Sequence, residues 1–288
     1  MQQDSSQAPP RATRFRALGH EFGLAASDPA ILHYLEDVFA PLRTPGAPTD
    51  YYRVEALDDG GFEAWFAGER LVASDDPARA VGFVLWHVNQ AAIASRPDLV
   101  RLHAAGAVRG RRAVVLPAPM ESGKTTLVAG LVRRGLHYLS DEVVAFDSEL
   151  LRLVAYPKAL SIDPGSWRVL SDMQPRVDPS VEAFLPAQWQ VPVGPPVGQG
   201  WVDDVEPSLL VFPRYDAGDP TVLTPLSTAD AAVALLGCTF DFEADPARNL
   251  AALADLAKHC RCYRLSVADL DTACGLIETA LDDIDAQG

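Results

Sequence analysis

The segment from residue 113 to residue 130 constrains the fold of this chain more than any other. The apolar run Ala113–Leu116 predicts a buried strand, and Gly123-Lys124-Thr125 opens a helix with apolar residues at helical spacing. A glycine-containing loop between a strand and a helix N-terminus is the arrangement that binds phosphate through backbone N–H groups. The sequence therefore predicts a phosphate-binding P-loop.

Each part of the P-loop chemistry has a candidate residue. We expect the Lys124 ammonium to reach the terminal phosphates of a nucleotide and the Thr125 hydroxyl to bind Mg²⁺. The nucleotide would be ATP, held by the backbone and side chains of the loop and the first helical turn. The residues expected to bind it are Met120, Glu121, Ser122, Gly123, Lys124, Thr125 and Thr126.

Three residues depart from the full motif. The first glycine of G-x-x-x-x-G-K-[ST] is Ala118, and Pro119 has no N–H to donate. Glu121 adds a negative charge beside the expected anion. The loop is therefore a weaker phosphate cradle than the full motif, and a buried strand and helix joined by an incidental Gly-Lys-Thr is the alternative.

Composition limits the class of protein and its partners. A chain of 288 residues that is 48% hydrophobic can bury one large core, or one core and a small appended domain. The net charge of −15 argues against nucleic acid and anionic membrane as general partners. No stretch approaches the roughly 20 apolar residues of a membrane span, and the start has no apolar signal core, so we expect a cytoplasmic protein.

The cysteines are too sparse for a disulfide framework in a chain this long. Cys260-Arg261-Cys262 follows His259, but no second pair of ligands stands at a spacing that fits zinc. We expect buried free thiols. The four cysteines are Cys238, Cys260, Cys262 and Cys274.

Residues 1–76 are predicted to form a small α+β N-terminal domain. It would contain a strand over Arg16–Leu24, a helix over Pro29–Phe39, and a hairpin of Tyr51–Ala56 with Phe62–Phe66. Residues 77–288 would form the P-loop domain, an α/β sheet flanked by helices. The alternative is one continuous α/β domain in which the N-terminal strands join the P-loop sheet.

The P-loop domain is predicted to begin with a long helix from Pro77 to about Ser95, whose His87 we expect to be a surface or hydrogen-bonded core residue. Strands Val100–Val108 and Arg112–Leu116 then form a hairpin. Residues 171–207 are rich in proline and glycine and predict a long loop. Such a loop either covers the acceptor of a reaction or is a surface insertion.

Two adjacent acids interrupt an extended apolar run after the P-loop helix. The run is His137–Asp147, and the acids are Asp141 and Glu142. Carboxylates in a core strand are costly unless they meet a cation, and Mg²⁺ held by Thr125 and phosphate is the cation we expect. Phosphoryl transfer to a hydroxyl needs both a metal and a group that takes or orients a proton, so one acid can serve each need. An exposed pair at a strand end is the alternative.

These segments together resemble a known family. His103, the loop Ala118–Thr126 and the segment His137–Glu142 are similar to the catalytic domain of the HPr kinase/phosphorylase family, in its divergent HPr-kinase-related branch. The resemblance covers about residues 78–280. The segments Tyr156–Ser161 and Phe212–Tyr215 are also family-like.

The resemblance implies a role for each matching residue. His103 would lie near the transferred phosphate, Lys124 would bind phosphate, and Arg214 would clamp it, unless that arginine is structural. Asp141 would act as general base and as a metal ligand, together with the metal ligands Thr125 and Glu142. The catalytic residues implied are therefore Asp141, His103, Lys124 and Arg214.

The expected function is that of an ATP- and Mg²⁺-dependent kinase. Its acceptor would be a hydroxyl, serine above all, of a small protein, a peptide precursor or a metabolite. The alternative, favoured by the incomplete loop, is a non-catalytic nucleotide-dependent binding or regulatory protein. Homo-oligomerisation stays open.

Overall fold

The computed structural model describes residues 13–120, 122–194, 198 and 200–285, and these form a mixed α/β protein with two compact units. Unit 1 comprises Met1–Ala92 with Val177–Pro186, and unit 2 comprises Ile93–Arg176 with Ala187–Gly288. The sequence placed the domain boundary between residues 76 and 77, ahead of a helix that groups largely with unit 1. The α/β class is confirmed.

Unit 1 contains a six-stranded sheet in the order β3-β1-β2-β4-β5-β6. The strands are β1 (Arg14–Ala17), β2 (His20–Ala26), β3 (Arg43–Thr44), β4 (Tyr51–Ala56), β5 (Phe62–Phe66) and β6 (Glu69–Ser74), and the helices are α1 (Pro29–Val38) and α2 (Pro77–Ala94). The predicted β4–β5 hairpin is confirmed, with Tyr52 opposite Phe66. The alternative of one continuous sheet is wrong, because these strands form a sheet of their own.

The single strand predicted over Arg16–Leu24 is wrong, because the chain reverses there. Strands β1 and β2 are antiparallel neighbours, with Ala17 opposite His20. Leu18 in the turn has a φ of 53°, a left-handed conformation that a leucine seldom adopts, so propensity did not reveal this turn. The turn folds two apolar strands onto each other, and Phe15 stacks on Phe22 with ring centroids 5.5 Å apart.

The long helix α2 carries His87 into a part-buried hydrogen-bond chain of unit 1. Tyr52 OH lies 2.7 Å from His87 Nδ1 and 2.9 Å from His20 Nε2. His87 is hydrogen-bonded, as one of the two expectations had it, and it is only partly buried. Burial, and then the neighbouring His87, lower the pKa of His20 to about 4, although Asp50 opposes this, and burial also lowers the pKa of His87. Both imidazoles are therefore neutral at pH 7.

We expect unit 1 to lose stability in acid because of His20. The unfolded chain binds a proton near pH 6.5 and the folded chain only near the lowered pKa of about 4, so stability falls as the pH drops through this window. Since His20 is partly exposed, the loss is roughly 1–2 kcal/mol. His20→Phe should remove it in urea denaturation at about pH 7 and about pH 4.5. Replacing the exposed His33 with alanine is the control, and equal acid sensitivity in His20→Phe and the parent would contradict the assignment.

Unit 2 contains a larger sheet in the order β11-β10-β7-β8-β14-β16-β15, with β9 also paired to β7, and a small separate pair β12-β13. The strands are β7 (Val100–Arg109), β8 (Arg112–Pro117), β9 (His137–Ser140), β10 (Val143–Asp147), β11 (Arg152–Val154), β12 (Leu160–Ile162), β13 (Trp189–Val191), β14 (Glu206–Tyr215), β15 (Val222–Pro225) and β16 (Arg261–Val267). The helices are α3 (Lys124–Arg133), α4 (Thr228–Leu236), α5 (Pro246–His259) and α6 (Leu270–Asp285).

Helices cover both faces of this sheet. Successive side chains of a strand point to opposite faces, so Val114 and Leu116 of β8 pack in one core with α3 and α6. Ala113 and Val115 pack in the other core with α4 and α5. A β-carbon at Gly130 would lie only 2.8 Å from Cys274 Sγ, so this glycine lets α3 approach α6 closely. The predicted β7–β8 hairpin, which leads into the loop before α3, is confirmed.

The run His137–Asp147 is extended on both sides of the two acids, as predicted, but it forms two strands, and the expectation that the acids lie within a strand is wrong. Ser140 Oγ accepts hydrogen bonds from the N–H groups of Glu142 and Val143, at 3.2 and 3.1 Å, and ends β9 in a turn. The adjacent acids Asp141 and Glu142 occupy this turn and are not part of a strand.

The remaining predictions concern the proline-rich segment and the thiols. The described part of residues 171–207 has little regular structure before β14 begins at Glu206: two 3₁₀ helices, Ser171–Met173 and Pro179–Phe184, and the short β13. Pro195 and Pro196 lie outside the described residues. All four cysteines are free and buried, as expected. Among the helices that the structure describes, none has both the length and the apolar character that crossing a bilayer requires.

Candidate functional site

The loop after β8 begins at the edge where parallel strands end. β14 pairs with β8 and β16 in parallel, so the carboxyl ends of these strands lie at one edge of the sheet. Gly123 ends the loop with a φ of 86°, which strains any other residue. A β-carbon there would lie 3.7 Å from Tyr215 Cβ, which brings the end of β14 beside the loop.

Lys124 is the first residue of α3, and its side chain turns back to the loop. The residue is only 6% exposed, and Nζ donates a hydrogen bond to the Pro119 carbonyl oxygen at 2.8 Å. Burial lowers the pKa of Lys124, and the negative charge of Glu142 opposes this shift. Pro119 thus contributes a carbonyl acceptor to the lysine, although it has no N–H for a phosphate.

The loop offers a polar site that fits a phosphate group. Among the described residues no side chain caps the N-terminus of α3, so its first N–H groups point towards the loop without a described side-chain acceptor. Ser122 Oγ is buried and has no hydrogen-bond partner among the described residues. Ala118 N donates to the His103 carbonyl at 3.3 Å, so the first part of the loop provides no such donor. Met120 is 80% exposed, and Glu121 lies outside the described residues.

Thr126 has its side chain engaged elsewhere. Its Oγ1 lies 2.5 Å from Ser166 Oγ, in a short 3₁₀ turn that packs beside α3. The Thr126 side chain therefore fixes this 3₁₀ turn to α3, and its hydroxyl is engaged there.

His103 lies under the start of the loop. Its own N–H donates to the Cys238 carbonyl oxygen at 2.6 Å, and its Nε2 is 3.9 Å from Glu142 Oε1. Burial, and then the Lys124 charge, lower the pKa of His103 to about 4. The imidazole is therefore neutral at pH 7, and its contact with Glu142 is not an ion pair.

Asp141 is the most enclosed acid of the site. It is 2% exposed, and its Oδ1 accepts hydrogen bonds from Tyr138 OH at 2.8 Å and Lys158 Nζ at 2.7 Å. Its Oδ2 accepts hydrogen bonds from Ser161 N at 3.0 Å and Thr125 Oγ1 at 3.4 Å. The alternative of an exposed acid pair does not hold for Asp141, because four donors surround it.

Lys158 and Tyr138 were missing from the predicted site residues. Lys158 stands in the apolar segment Tyr156–Leu160, and a charge there needs a partner, which was a usable signal. Tyr138 gave no signal, because a tyrosine in an apolar strand is ordinary core composition. Burial, and then the Asp141 charge, raise the pKa of Tyr138, so its hydroxyl remains a donor.

Arg214 is not brought into this cluster. Its side chain is 77% exposed, and the described contact is with Asp216 Oδ2 at 3.4 Å. It lies near the end of β14, at the edge of the sheet where the loop after β8 begins. The structure therefore places it near the site, and no described residue of the site is its partner.

The site contains oxygen ligands that could share a bound Mg²⁺ with the phosphates of a nucleotide. Within the described residues, no group of three or more histidine, cysteine or acidic side chains could hold a metal by itself. Mg²⁺ usually takes one or two protein oxygens together with phosphate oxygens and water. Thr125 and Glu142 are of this ligand type.

Comparison with known proteins adds no family. Neither a protein-family model nor a curated protein matches this chain.

We expect Asp141→Asn to destabilise unit 2 because it leaves the Lys158 ammonium without its counter-ion. Breaking a buried ion pair by removing one partner costs about 3–5 kcal/mol. The control is Asp255→Asn, which breaks the exposed contact with Lys258 at 3.0 Å and should cost about 0.2–1 kcal/mol. Urea denaturation of both variants measures the difference, and similar losses would show that the Asp141 contacts contribute little.

Proposed function

We propose that this protein is an ATP-dependent kinase that transfers a phosphoryl group to a hydroxyl, serine above all, of a peptide, a small protein or a metabolite. The observation that carries the proposal is the contact between Thr125 Oγ1 and Asp141 Oδ2, which joins the P-loop helix to the acid turn. In a P-loop kinase these two elements must meet, because the metal and the transferred phosphate lie between them.

The contacts of the P-loop support a nucleotide as its ligand. Lys124 is held inside the loop by the weak acceptor Pro119 O, so a phosphate oxygen can replace this carbonyl at little cost. A bound Mg²⁺ would neutralise charge that develops on the phosphates. Thr125 and Glu142 are the residues proposed to hold it, and Asp141 is linked to the metal position at least through Thr125.

His103 is proposed to act on the transferred phosphate. Its neutral ring can donate one hydrogen bond and accept another, and Lys124 and Glu142 are its neighbours. Donors directed at developing charge are the usual means of transition-state stabilisation. We propose Arg214, exposed near the same edge of the sheet, as a clamp that engages phosphate only when nucleotide is bound.

The relationship to the HPr kinase/phosphorylase family is part of this proposal. It is supported by the position of the P-loop strand β8 inside the sheet, between β7 and β14, and by helices on both faces. The strand β7, which carries His103, also lies beside the turn that carries Asp141 and Glu142, because β7 pairs with both β9 and β10. We propose a P-loop kinase-like fold for unit 2 on these grounds.

A non-catalytic nucleotide-dependent binding protein is the second candidate. Two observations favour it. The Ala118-Pro119 start of the loop provides no N–H donor for a phosphate. Each carboxylate oxygen of Asp141 already accepts hydrogen bonds from two donors. An acceptor hydroxyl would have to displace one of these donors to reach the Asp141 carboxylate. Both candidates require the nucleotide site, and only the kinase requires an acceptor.

We expect Lys124→Ala to weaken ATP binding. Hydrogen bonds to charged groups contribute about 1.5–3 kcal/mol, which corresponds to an affinity loss of roughly 10- to 150-fold. Isothermal titration calorimetry with Mg²⁺-ATP measures this loss. The control is Lys258→Ala, which removes a lysine exposed on α5 and should leave the affinity unchanged. Equal affinities of the Lys124→Ala variant and the parent would rule out the P-loop site.

Phosphoryl transfer separates the two candidates. We expect the parent, with labelled ATP and Mg²⁺, to label serine-containing peptides and not the same peptides with alanine in place of serine. His103→Ala should slow transfer by about 10²-fold or more, the usual cost of removing one donor to developing charge. His259→Ala, at an exposed position on α5, is the control. Tight Mg²⁺-ATP binding without transfer to any hydroxyl acceptor would instead support the binding protein.

A further inference from the structure

Lys158 is held by three oxygen atoms. Its Nζ donates to Asp141 Oδ1 at 2.7 Å, to the Ala159 carbonyl at 3.0 Å and to Ser161 Oγ at 3.1 Å. An ammonium has three N–H donors, so all of them are used. The Lys158 side chain is 11% exposed and that of Asp141 1% exposed, which makes this an enclosed cation in a fixed place.

The position of Lys158 is maintained by hydrogen bonds around it. Ser161 Oγ also donates to Gln190 Oε1 at 3.1 Å, and β12 pairs with β13, so the hydroxyl is held on the small two-stranded sheet. The N–H of Tyr156 donates to the Leu139 carbonyl oxygen at 3.0 Å and ties the segment to β9. The segment Tyr156–Ser161 is therefore anchored at both ends by backbone hydrogen bonds. These bonds position the Lys158 ammonium, in addition to its attraction to Asp141.

The three acceptors are a carboxylate, a carbonyl and a hydroxyl, the oxygen types that hard divalent cations prefer. A divalent ion that bound Asp141 Oδ1 would need the place that Lys158 Nζ already fills. The other oxygen, Oδ2, accepts hydrogen bonds from Ser161 N and Thr125 Oγ1. The Thr125 hydroxyl donates a hydrogen bond to this carboxylate, so its oxygen lone pairs remain free to bind a metal.

We propose that Lys158 is the resident cation of Asp141 and takes the position that a divalent metal would otherwise occupy on this carboxylate. Asp141 is then a positioning residue that directs the Thr125 hydroxyl and is not itself a metal ligand. The assignment of Lys158 stands on its own contacts, whereas the consequence for Thr125 rests on the proposed function. The site would accordingly hold its Mg²⁺ through Thr125, Glu142 and phosphate, with no second ion on Asp141.

The test removes the ammonium and asks whether a metal replaces it. Lys158→Met keeps an unbranched side chain but lacks the terminal ammonium, so it leaves the buried Asp141 carboxylate without a cation. We expect this variant, free of nucleotide, to bind Mn²⁺ at least about tenfold more tightly than the parent in electron paramagnetic resonance titrations. Mn²⁺ should also restore part of its lost thermal stability. Lys258→Met, at the exposed pair with Asp255, should show neither effect.

A second substitution identifies the carboxylate. In the double variant Lys158→Met with Asp141→Asn, the gained Mn²⁺ binding should disappear, because the charged ligand is gone. Lack of a gain in Lys158→Met, or a gain that persists in the double variant, would overturn the proposal. If Lys158→Met does not fold alone, its refolding yield should rise with added Mn²⁺, and a yield independent of Mn²⁺ would overturn the proposal equally. None of these measurements involves nucleotide, so their failure is distinct from a failure of the proposed function.

Discussion

The buried carboxylate of Asp141 is the interaction on which the rest of the site depends. A carboxylate on a side chain that is 1% exposed is stable only if charge and hydrogen bonds replace the water it has lost. Its four donors come from β9, from the first turn of α3 and from the segment before and within β12. One acid therefore joins three separate elements of unit 2, and α3 is one of them.

A second constraint is that the basic side chains of His103 and Lys124 lie near each other. Burial and the Lys124 charge together keep His103 neutral, and burial also disfavours the charge on Lys124 itself. Glu142 acts on both, since it opposes the shift of Lys124 and lies 3.9 Å from His103. This end of the sheet consequently carries one partly buried ammonium, that of Lys124, near the Glu142 carboxylate and a neutral imidazole. A single ammonium of this kind attracts an anion locally, although the chain has a net charge of −15.

Local patterns predicted the elements well where a single physical signal was strong. The hairpins β4–β5 and β7–β8 follow from alternating apolar residues around glycine-containing turns, and the helix α2 follows from its apolar spacing after Asp76-Pro77. The two errors lie at turns without such a signal. Leu18 adopts a left-handed conformation without being glycine, and Ser140 ends β9 through its side chain. Residue propensities describe the average behaviour of an amino acid. They do not predict a turn that depends on the conformation or the hydrogen bonds of one particular residue.

The sequence by itself determined that a strand, a loop with Gly123 and a helix beginning with Lys124 follow one another, because these depend on residues adjacent in the chain. It also marked the acids Asp141 and Glu142 as residues that need a cation. Only the tertiary structure decided which cation meets Asp141, because Lys158 reaches it from another segment of the chain. Contacts between distant segments depend on how the sheet is ordered and how α3 packs on it, and no local spacing encodes that geometry.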